Sequence, residues 1–314
     1  MEREERVFPS SSGICSIHTI IWYPDRTKYS QPTGVIQIAH GMIDHIERFE
    51  EMAEFFVDKG FVVAGNDHLG HGDSVNSEDD YGYFAKGNHG ADYLIKDMHR
   101  LTRIMKKMYK GIPYILIGHS MGSYMARKYA CVYGDELDGV IFLGTGNQPK
   151  PVVNAGLKLA HVTKLVHGDR YRSRLINKIM FGTYNKRIKD NRTVNDWLTK
   201  DTGIVDKYTE DPKCSYMFTA NGYIGFLNVI KFDINKKNIA RTPAELPVLF
   251  ASGEEDPVGG YGKAVKKVFK LYTKYVDNVE LRLYEDDRHE LHSETNRQEV
   301  FEDLLEWIES DVLT

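Results

Sequence analysis

The sequence predicts a fold in which strands and helices alternate, so that a mostly parallel sheet carries helices on both faces. Short apolar runs that suit buried parallel strands alternate with segments of helical spacing, both before residue 147 and after residue 240. The 314 residues are 41% hydrophobic and 27% charged, the balance of an ordinary globular protein. In such sheets ligands bind beyond the C-terminal ends of the strands, so we expect the chemistry there.

The first block, before residue 147, alternates strands with helices. Its strands are short apolar runs, and its helices carry apolar residues three and four positions apart. Gly60 supplies a stop for the first helix. In chain order we predict strand 35–39, helix 47–59, strand 61–65, helix 93–109, strand 114–117, helix 121–133 and strand 139–143.

The same rhythm resumes after Pro247. We predict strand 248–251, helix 262–275, strand 279–284 and a closing amphipathic helix over 298–308. The blocks 1–146 and 241–314 are therefore expected to build one domain with one sheet.

Residues 147–240 break the rhythm and read as helical and loop-rich. They carry 17 Lys and Arg against 8 Asp and Glu, whereas the remainder carries 24 against 37. We expect this segment to be a helical lid inserted over the C-terminal edge of the sheet. A charge excess of this kind suits either a solvated face or contact with an anionic lipid surface.

Composition excludes several classes of protein. With a formal net charge of −4, the chain lacks the excess of basic residues that is typical of a nucleic-acid-binding protein. No stretch approaches the roughly 20 apolar residues of a membrane-spanning helix, and the charged N-terminus does not resemble a signal peptide. Cys15, Cys131 and Cys214 are too scattered to form a disulfide framework or a metal cluster. We therefore expect a cytoplasmic protein.

The most informative stretch is residues 118–122, which read Gly-His-Ser-Met-Gly. This glycine–x–serine–x–glycine pattern lies directly after a predicted buried strand and before a predicted helix, the setting of a nucleophile elbow. A bare pattern of this kind also occurs by chance, and the setting is what favours catalysis. We predict Ser120 as the nucleophile and the Met121 N–H as an oxyanion donor.

A serine nucleophile needs a histidine base, and on this architecture the base follows the serine in the chain. Only His161, His167, His289 and His292 follow Ser120. The first two lie in the inserted segment. We predict His289, which comes just after the strand 279–284, and expect the rival His292 to be a solvated residue near the last helix.

The residue that orients the base should end the preceding strand. Glu254, Glu255 and Asp256 lie there. Pro257 biases Asp256 toward extended geometry, so we predict Asp256 as the acid and expect the two glutamates to face solvent.

The second oxyanion donor should follow the strand 35–39. Gly41 allows close approach of the backbone, so we predict the Met42 N–H as the partner of the Met121 N–H. The histidines and aspartates of residues 67–74 suggest a metal site, but this glycine-rich span is better interpreted as a structural turn. We therefore predict no metal site.

Five motifs in order carry a family resemblance: residues 40–42 (His-Gly-Met), 67–74 (Asp-His-Leu-Gly-His-Gly-Asp-Ser), 118–122, 253–258 (Gly-Glu-Glu-Asp-Pro-Val) and 288–291 (Arg-His-Glu-Leu). Together they resemble the monoacylglycerol lipase and lysophospholipase group of α/β-hydrolases, also called serine aminopeptidase-like. The resemblance spans about residues 34–307 and is weak in the insert. It implies the same roles for Met42, Ser120, Asp256 and His289.

The resemblance implies a serine carboxylester hydrolase that acts on acyl esters such as monoacylglycerol or lysophospholipid, without a cofactor. An amidase, peptidase or thioesterase with the same triad, or a non-catalytic binding protein, are the alternatives, and the oligomeric state stays open. Apolar residues of the insert are candidates to line an acyl pocket: Tyr216, Met217, Phe218, Tyr223 and Phe226.

Overall fold

The computed structural model describes residues 1–313, and its centre is an eight-stranded sheet. The strands are β1 (Glu2–Pro9), β2 (Ser16–Tyr23), β3 (Val35–Ala39), β4 (Val62–Asn66), β5 (Tyr114–His119), β6 (Gly139–Leu143), β7 (Val248–Gly253) and β8 (Val279–Tyr284). Their spatial order is β1-β2-β4-β3-β5-β6-β7-β8. The pairs β1–β2 and β2–β4 are antiparallel, and every other pair is parallel.

Helices cover both faces of the sheet, as predicted. The helices are α1 (Glu50–Asp58), α2 (Gly90–Met108), α3 (Met121–Tyr133), α4 (Lys150–His167), α5 (Arg174–Phe181), α6 (Thr202–Glu210), α7 (Ala220–Asp233), α8 (Lys236–Ile239), α9 (Lys263–Tyr272) and α10 (Arg297–Asp311). Apolar residues of α1 and α10 pack in one cluster, and those of α2, α3 and α9 pack in another. The central strands contribute alternate side chains to these two clusters, because successive residues of a strand point to opposite faces.

The predicted elements agree with the observed ones, with small shifts at their ends. β6, β8 and α3 have the predicted bounds, whereas β5 and β7 each extend two residues further. With these extensions β5 ends at His119, directly before Ser120, and β7 ends at Gly253, three residues before Asp256. β1 and β2 were not predicted. The edge strand β1 is charged and mostly exposed and so lacks a strand's apolar alternation, whereas β2 is mostly buried and was simply missed.

The insert, residues 147–240, contributes α4 to α8 between β6 and β7. Within it α7 packs against α4, and it also contacts α2 and α3 of the sheet layer. Over residues 1–313, no helix has both the length and the apolar character needed to cross a bilayer.

Candidate active site

Ser120 lies at the turn between β5 and α3 in a backbone conformation that residues other than glycine rarely adopt. Its φ is 53° and its ψ is −119°. A methyl group on Gly122 would lie 2.0 Å from the Ala39 carbonyl oxygen, and one on Gly118 would lie 2.4 Å from the Gly122 oxygen. The two glycines are therefore required, since any larger residue would force the strand and the helix apart.

Asp256 and His289 lie in the loops that follow β7 and β8, and their side chains are in contact. His289 Nδ1 is 3.0 Å from Asp256 Oδ1, which also accepts a hydrogen bond from the Val258 N–H at 2.8 Å. Ser252 Oγ donates to the other carboxylate oxygen at 3.3 Å. Both side chains are buried, at 0% and 1% exposed. The carboxylate therefore fixes the imidazole ring through Nδ1.

The second ring nitrogen of His289, Nε2, takes no part in the contact with Asp256. Nε2 is buried and has no hydrogen-bond partner among residues 1–313. Gly144 lies beneath the ring, where a methyl group would be 3.1 Å from Nδ1, and the Trp197 ring lies 4.9 Å away, centroid to centroid. Ser120 and His289 line the same cavity. The imidazole thus has a fixed plane and an unengaged nitrogen at the cavity wall.

The loop after β3 lies directly against the Ser120 turn. A methyl group on Gly41 would be 3.3 Å from Ser120 Cβ. Asp44 Oδ2 accepts a hydrogen bond from the Gly41 N–H at 3.2 Å, which holds the loop in place. Met42 lines the cavity, whereas Met121, the first residue of α3, has a buried side chain that does not line it.

A largely enclosed arginine, Arg48, joins this loop to the histidine loop. Arg48 donates to Asp44 Oδ1 at 2.7 Å and forms a two-bond pair with Glu290 at 2.9 and 2.6 Å. Its guanidinium carbon lies 4.6 Å from the ring centroid of Tyr208, whose hydroxyl donates to the Ile43 carbonyl. Sequence reasoning missed this network. Only the four-residue spacing of Asp44 and Arg48 hinted at it.

The charges of this network support one another. Burial alone would raise the pKa of Asp44, but Arg48 and the nearby histidines bring that pKa below its ordinary value. Burial disfavours the charged guanidinium, yet Glu290 and Asp44 raise the pKa of Arg48 well above its ordinary value. Asp44 and Arg48 therefore stay ionised and paired, and Glu290 shares the same guanidinium.

Histidines form a buried layer beneath the site: His40, His68, His71, His119 and His292. The prediction of a solvated His292 was wrong, because its ring is 3% exposed and stacks on Phe49 with centroids 4.2 Å apart. Burial lowers the pKa of His292 to about 4. Burial and the neighbouring His292 and His289 likewise hold the pKa of His119 well below its ordinary value. These rings are therefore neutral at pH 7.

The turn at residues 67–74 is structural, as predicted. Asp67 accepts hydrogen bonds from the N–H groups of Ile46 and Asp73, both at 2.8 Å, and pairs with His18 at 2.9 Å. Ligand atoms of His18, Asp67 and Asp73 come within 4.8 Å of one another. Because Asp67 already uses both oxygens in holding the turn, this group offers a poor metal site.

A cavity of about 880 Å³ opens above Ser120 and is walled mainly by the insert. Of the predicted lining residues, Tyr216, Met217 and Phe226 lie in its wall. Phe218 and Tyr223 do not line it. Phe218 is fully buried against Phe84 and His71. Tyr223 is also fully buried, and its hydroxyl donates a hydrogen bond to Asn177, which does line the cavity.

The cavity wall has two kinds of surface. α4, α5 and α7 contribute an apolar wall that belongs to the main core cluster. The segment 195–215 and the loops near Asp44 contribute polar groups beside a separate small cluster of Trp197, Leu198, Tyr208 and Cys214. The site can therefore hold a molecule that is apolar at one end and polar at the other.

Comparison with known proteins agrees with this geometry. Residues 30–296 match the family described as serine aminopeptidase, S33. The chain is 26% identical to a monoacylglycerol lipase of Mycolicibacterium smegmatis over 98% of both chains. A carboxyl esterase from Bacillus coagulans, solved in complex with glycerol, matches 100% of both chains with a TM-score of 0.91 and 28% identity. A lipase solved in an open form matches 99% of both, with a TM-score of 0.88 and 26% identity. The chain is thus an α/β-hydrolase of the monoacylglycerol lipase group and belongs to the serine aminopeptidase S33 family.

Proposed function

We propose that this carboxylic ester hydrolase cleaves single-chain acyl esters of a small polar alcohol, such as monoacylglycerol, through an acyl-enzyme. The observation that carries the proposal is the 3.0 Å contact of His289 Nδ1 with Asp256, which leaves Nε2 unengaged in the wall of the cavity that Ser120 also lines. A base held in this way can activate a serine hydroxyl.

In the proposed reaction His289 Nε2 takes the proton of Ser120 Oγ while Oγ bonds to the ester carbonyl carbon. The N–H groups of Met42 and Met121 stabilise the resulting oxyanion. His289 then gives the proton to the leaving alcohol as the ester C–O bond breaks. Water repeats the sequence on the acyl-enzyme, which releases the acid and restores Ser120.

The two kinds of cavity surface support an orientation for the substrate. The acyl chain would lie along the apolar wall of α4, α5 and α7, which includes Val153, Ile176 and Phe226. The alcohol would face the polar groups near Tyr208 and Asn195. Lysophospholipid fits the same orientation if the polar wall admits the larger head group.

The family name also raises an aminopeptidase activity, which needs a free anion to hold the substrate's ammonium group. Among the described residues that line the cavity, the carboxylates are Asp44 and Glu290. Arg48 is paired with both of them. This arrangement favours a neutral substrate over an N-terminal amine.

Fluorophosphonate labelling and an ester series test the proposal. We expect the wild-type chain to be labelled and Ser120→Ala to be unlabelled. With glycerol monoesters of increasing chain length, kcat/KM should rise until the acyl chain fills the cavity. A folded chain without labelling would favour a non-catalytic binding role. Faster cleavage of aminoacyl amides than of acyl esters would instead favour the peptidase.

The outer face of the insert supports a second part of the proposal, contact with a lipid surface. Eight of the twelve large hydrophobic residues exposed in the described chain lie between residues 152 and 194, and five of these eight do not line the cavity: Val162, Leu165, Val166, Tyr171 and Leu175. Residues 150–194 also hold 11 Lys and Arg against 2 Asp and Glu. Apolar side chains among basic ones suit an anionic bilayer. The insert would then act as a lid that receives the substrate from that surface, whereas the cytoplasmic location stays a prediction.

A further inference from the structure

Three side chains with metal-binding atoms meet where the insert touches the loop after β3. His45 Nε2 lies 2.8 Å from Asp211 Oδ2, and the Cys214 thiol joins them so that all three ligand atoms lie within 4.8 Å of one another. His45 comes directly after Asp44 of the site loop, whereas Asp211 and Cys214 begin and end one short turn of the insert. The group therefore links two parts of the chain that are 166 residues apart.

The turn at Asp211 presents its two ligands side by side. The Cys214 N–H donates to the Asp211 carbonyl at 2.9 Å, and Asp211 Oδ1 accepts from the Lys213 N–H at 2.7 Å. These bonds fix the turn and leave Oδ2 facing His45. Two ligands separated by two residues on a tight turn is a spacing that recurs in zinc sites.

The cysteine provides an independent observation. Cys214 is 5% exposed, and its thiol makes no hydrogen bond within residues 1–313. It packs among Trp197, Leu198 and Tyr208, and it also lines the cavity. The sulfur therefore lies buried beside the paired imidazole and carboxylate and makes no hydrogen bond of its own in the described part of the chain.

The charge around the group favours a cation. Three carboxylates, those of Asp211, Asp44 and Glu290, lie near Cys214, and the single guanidinium of Arg48, which is paired with Asp44 and Glu290, offsets one of their three formal charges. Lys213, the other nearby base, is drawn away to Asp73 at 2.7 Å. The surroundings are therefore net negative before the thiol loses its proton.

We propose that His45, Asp211 and Cys214 bind one Zn²⁺ ion, with a fourth position open toward the cavity. Nitrogen and sulfur ligands select zinc over magnesium or calcium, which prefer oxygen ligands alone. On binding, the thiol proton passes to solvent and the sulfur coordinates as thiolate. The ion would tie the insert to the loop that holds Met42.

Zinc titration of chelator-treated protein tests the proposal without depending on activity. Bound Zn²⁺ is measured by competition with a chromophoric chelator. We expect one equivalent in the wild type and a loss of affinity of at least about 100-fold in Cys214→Ser and in His45→Gln, since even outer-shell changes cost up to that much. Cys131→Ser, which removes a buried cysteine that contacts Thr242, is the matched control and should bind like the wild type.

Cobalt substitution identifies the ligand atom. Co²⁺ added to the wild type should produce a cobalt–thiolate charge-transfer absorption that Cys214→Ser abolishes and Cys131→Ser retains. Fluorophosphonate labelling and circular dichroism check that each variant is folded. If His45→Gln does not fold, Cys214→Ser decides alone. Wild-type protein that binds no zinc, or variants that bind it equally well, would overturn the proposal.

Discussion

The loops at the C-terminal edge of the sheet and the outer face of the insert differ in how their side chains are held. In the loops, Asp256 and His289 are buried and bonded to each other, and Arg48, only 12% exposed, is bonded to Asp44 and Glu290. On the insert, Leu165 is 86% exposed and Val166 is 67% exposed. The polar groups of the loops are bonded within the molecule, whereas the exposed apolar side chains of the insert are free to contact another surface, which we propose is a lipid bilayer.

The same contrast appears in charge. The insert carries an excess of nine positive charges, and the remainder carries an excess of thirteen negative ones. Opposite net charges hold the two parts together only through short-range contacts, since salt screens exposed charges beyond roughly 10 Å. We therefore expect the loops to carry the proposed reaction and the insert to determine which surface and which substrate the protein binds.

The largest effect should come from the loops. We expect Asp256→Asn to lower kcat by about 10⁴ with little change in stability, because the imidazole loses the partner that fixes its tautomer. Steady-state hydrolysis of a soluble ester and a thermal melt measure the two quantities. Glu255→Gln, on an exposed neighbour, is the control. Unchanged turnover in Asp256→Asn would assign the acid elsewhere.

The next effect tests whether the loops depend on one another. Arg48→Met leaves Asp44 and Glu290 buried without their common partner, and we expect a loss of about 3–5 kcal/mol in the free energy of unfolding. Urea denaturation measures it. Arg297→Met breaks the more exposed pair with Glu51 and should cost at most about 1 kcal/mol. Equal losses in the two variants would refute a special role for Arg48.

Acid should weaken the loop region through its buried histidines. The pKa of His292 is about 4 in the folded chain and 6.5 in its ordinary state, so the unfolded chain binds more protons in that window. Stability is therefore full above about pH 6.5 and falls toward pH 4, by roughly 3 kcal/mol for this residue. Denaturation curves across this range should show it.

His292→Phe should flatten that pH dependence, since the new ring can still stack on Phe49 and cannot take a proton. The exposed His161 of α4 supplies the matched control, His161→Gln, which should keep the wild-type slope. A slope that is unchanged in His292→Phe would show that other groups control the acid response.

The smallest effect concerns the insert. We expect Leu165→Glu to weaken binding to anionic phospholipid vesicles by about tenfold and to leave hydrolysis of a short soluble ester unchanged. Vesicle sedimentation measures the binding. Val7→Glu places the same change on the exposed strand β1, away from the insert, and should have no effect. Equal weakening in both variants would mean that the insert has no special surface role.

Local patterns in the sequence predicted the parts that depend on local geometry. The turn around Ser120 needs glycine at positions 118 and 122, so five consecutive residues were enough to predict it. Asp256 and His289 follow from strand order, because each lies in the loop that follows a strand. The insert's bounds and its role as a lid remain predictions.

Contacts between distant segments were not predictable in this way. Arg48 and Glu290 are 242 residues apart, and no periodicity connects them. Phe218 and Tyr223 read as pocket residues because they are aromatic, yet side-chain direction is set by packing that the pattern does not encode. His292 looked solvated because its burial depends on Phe49, from a different loop.

The bridge formed by Arg48 has a consequence for how the enzyme can fail. The loop after β3 and the loop after β8 are bonded to one guanidinium, so a shift of either loop strains the bonds of the other. Loss of Arg48 would release both loops at once. We therefore expect the two loops to lose their positions together rather than one after the other.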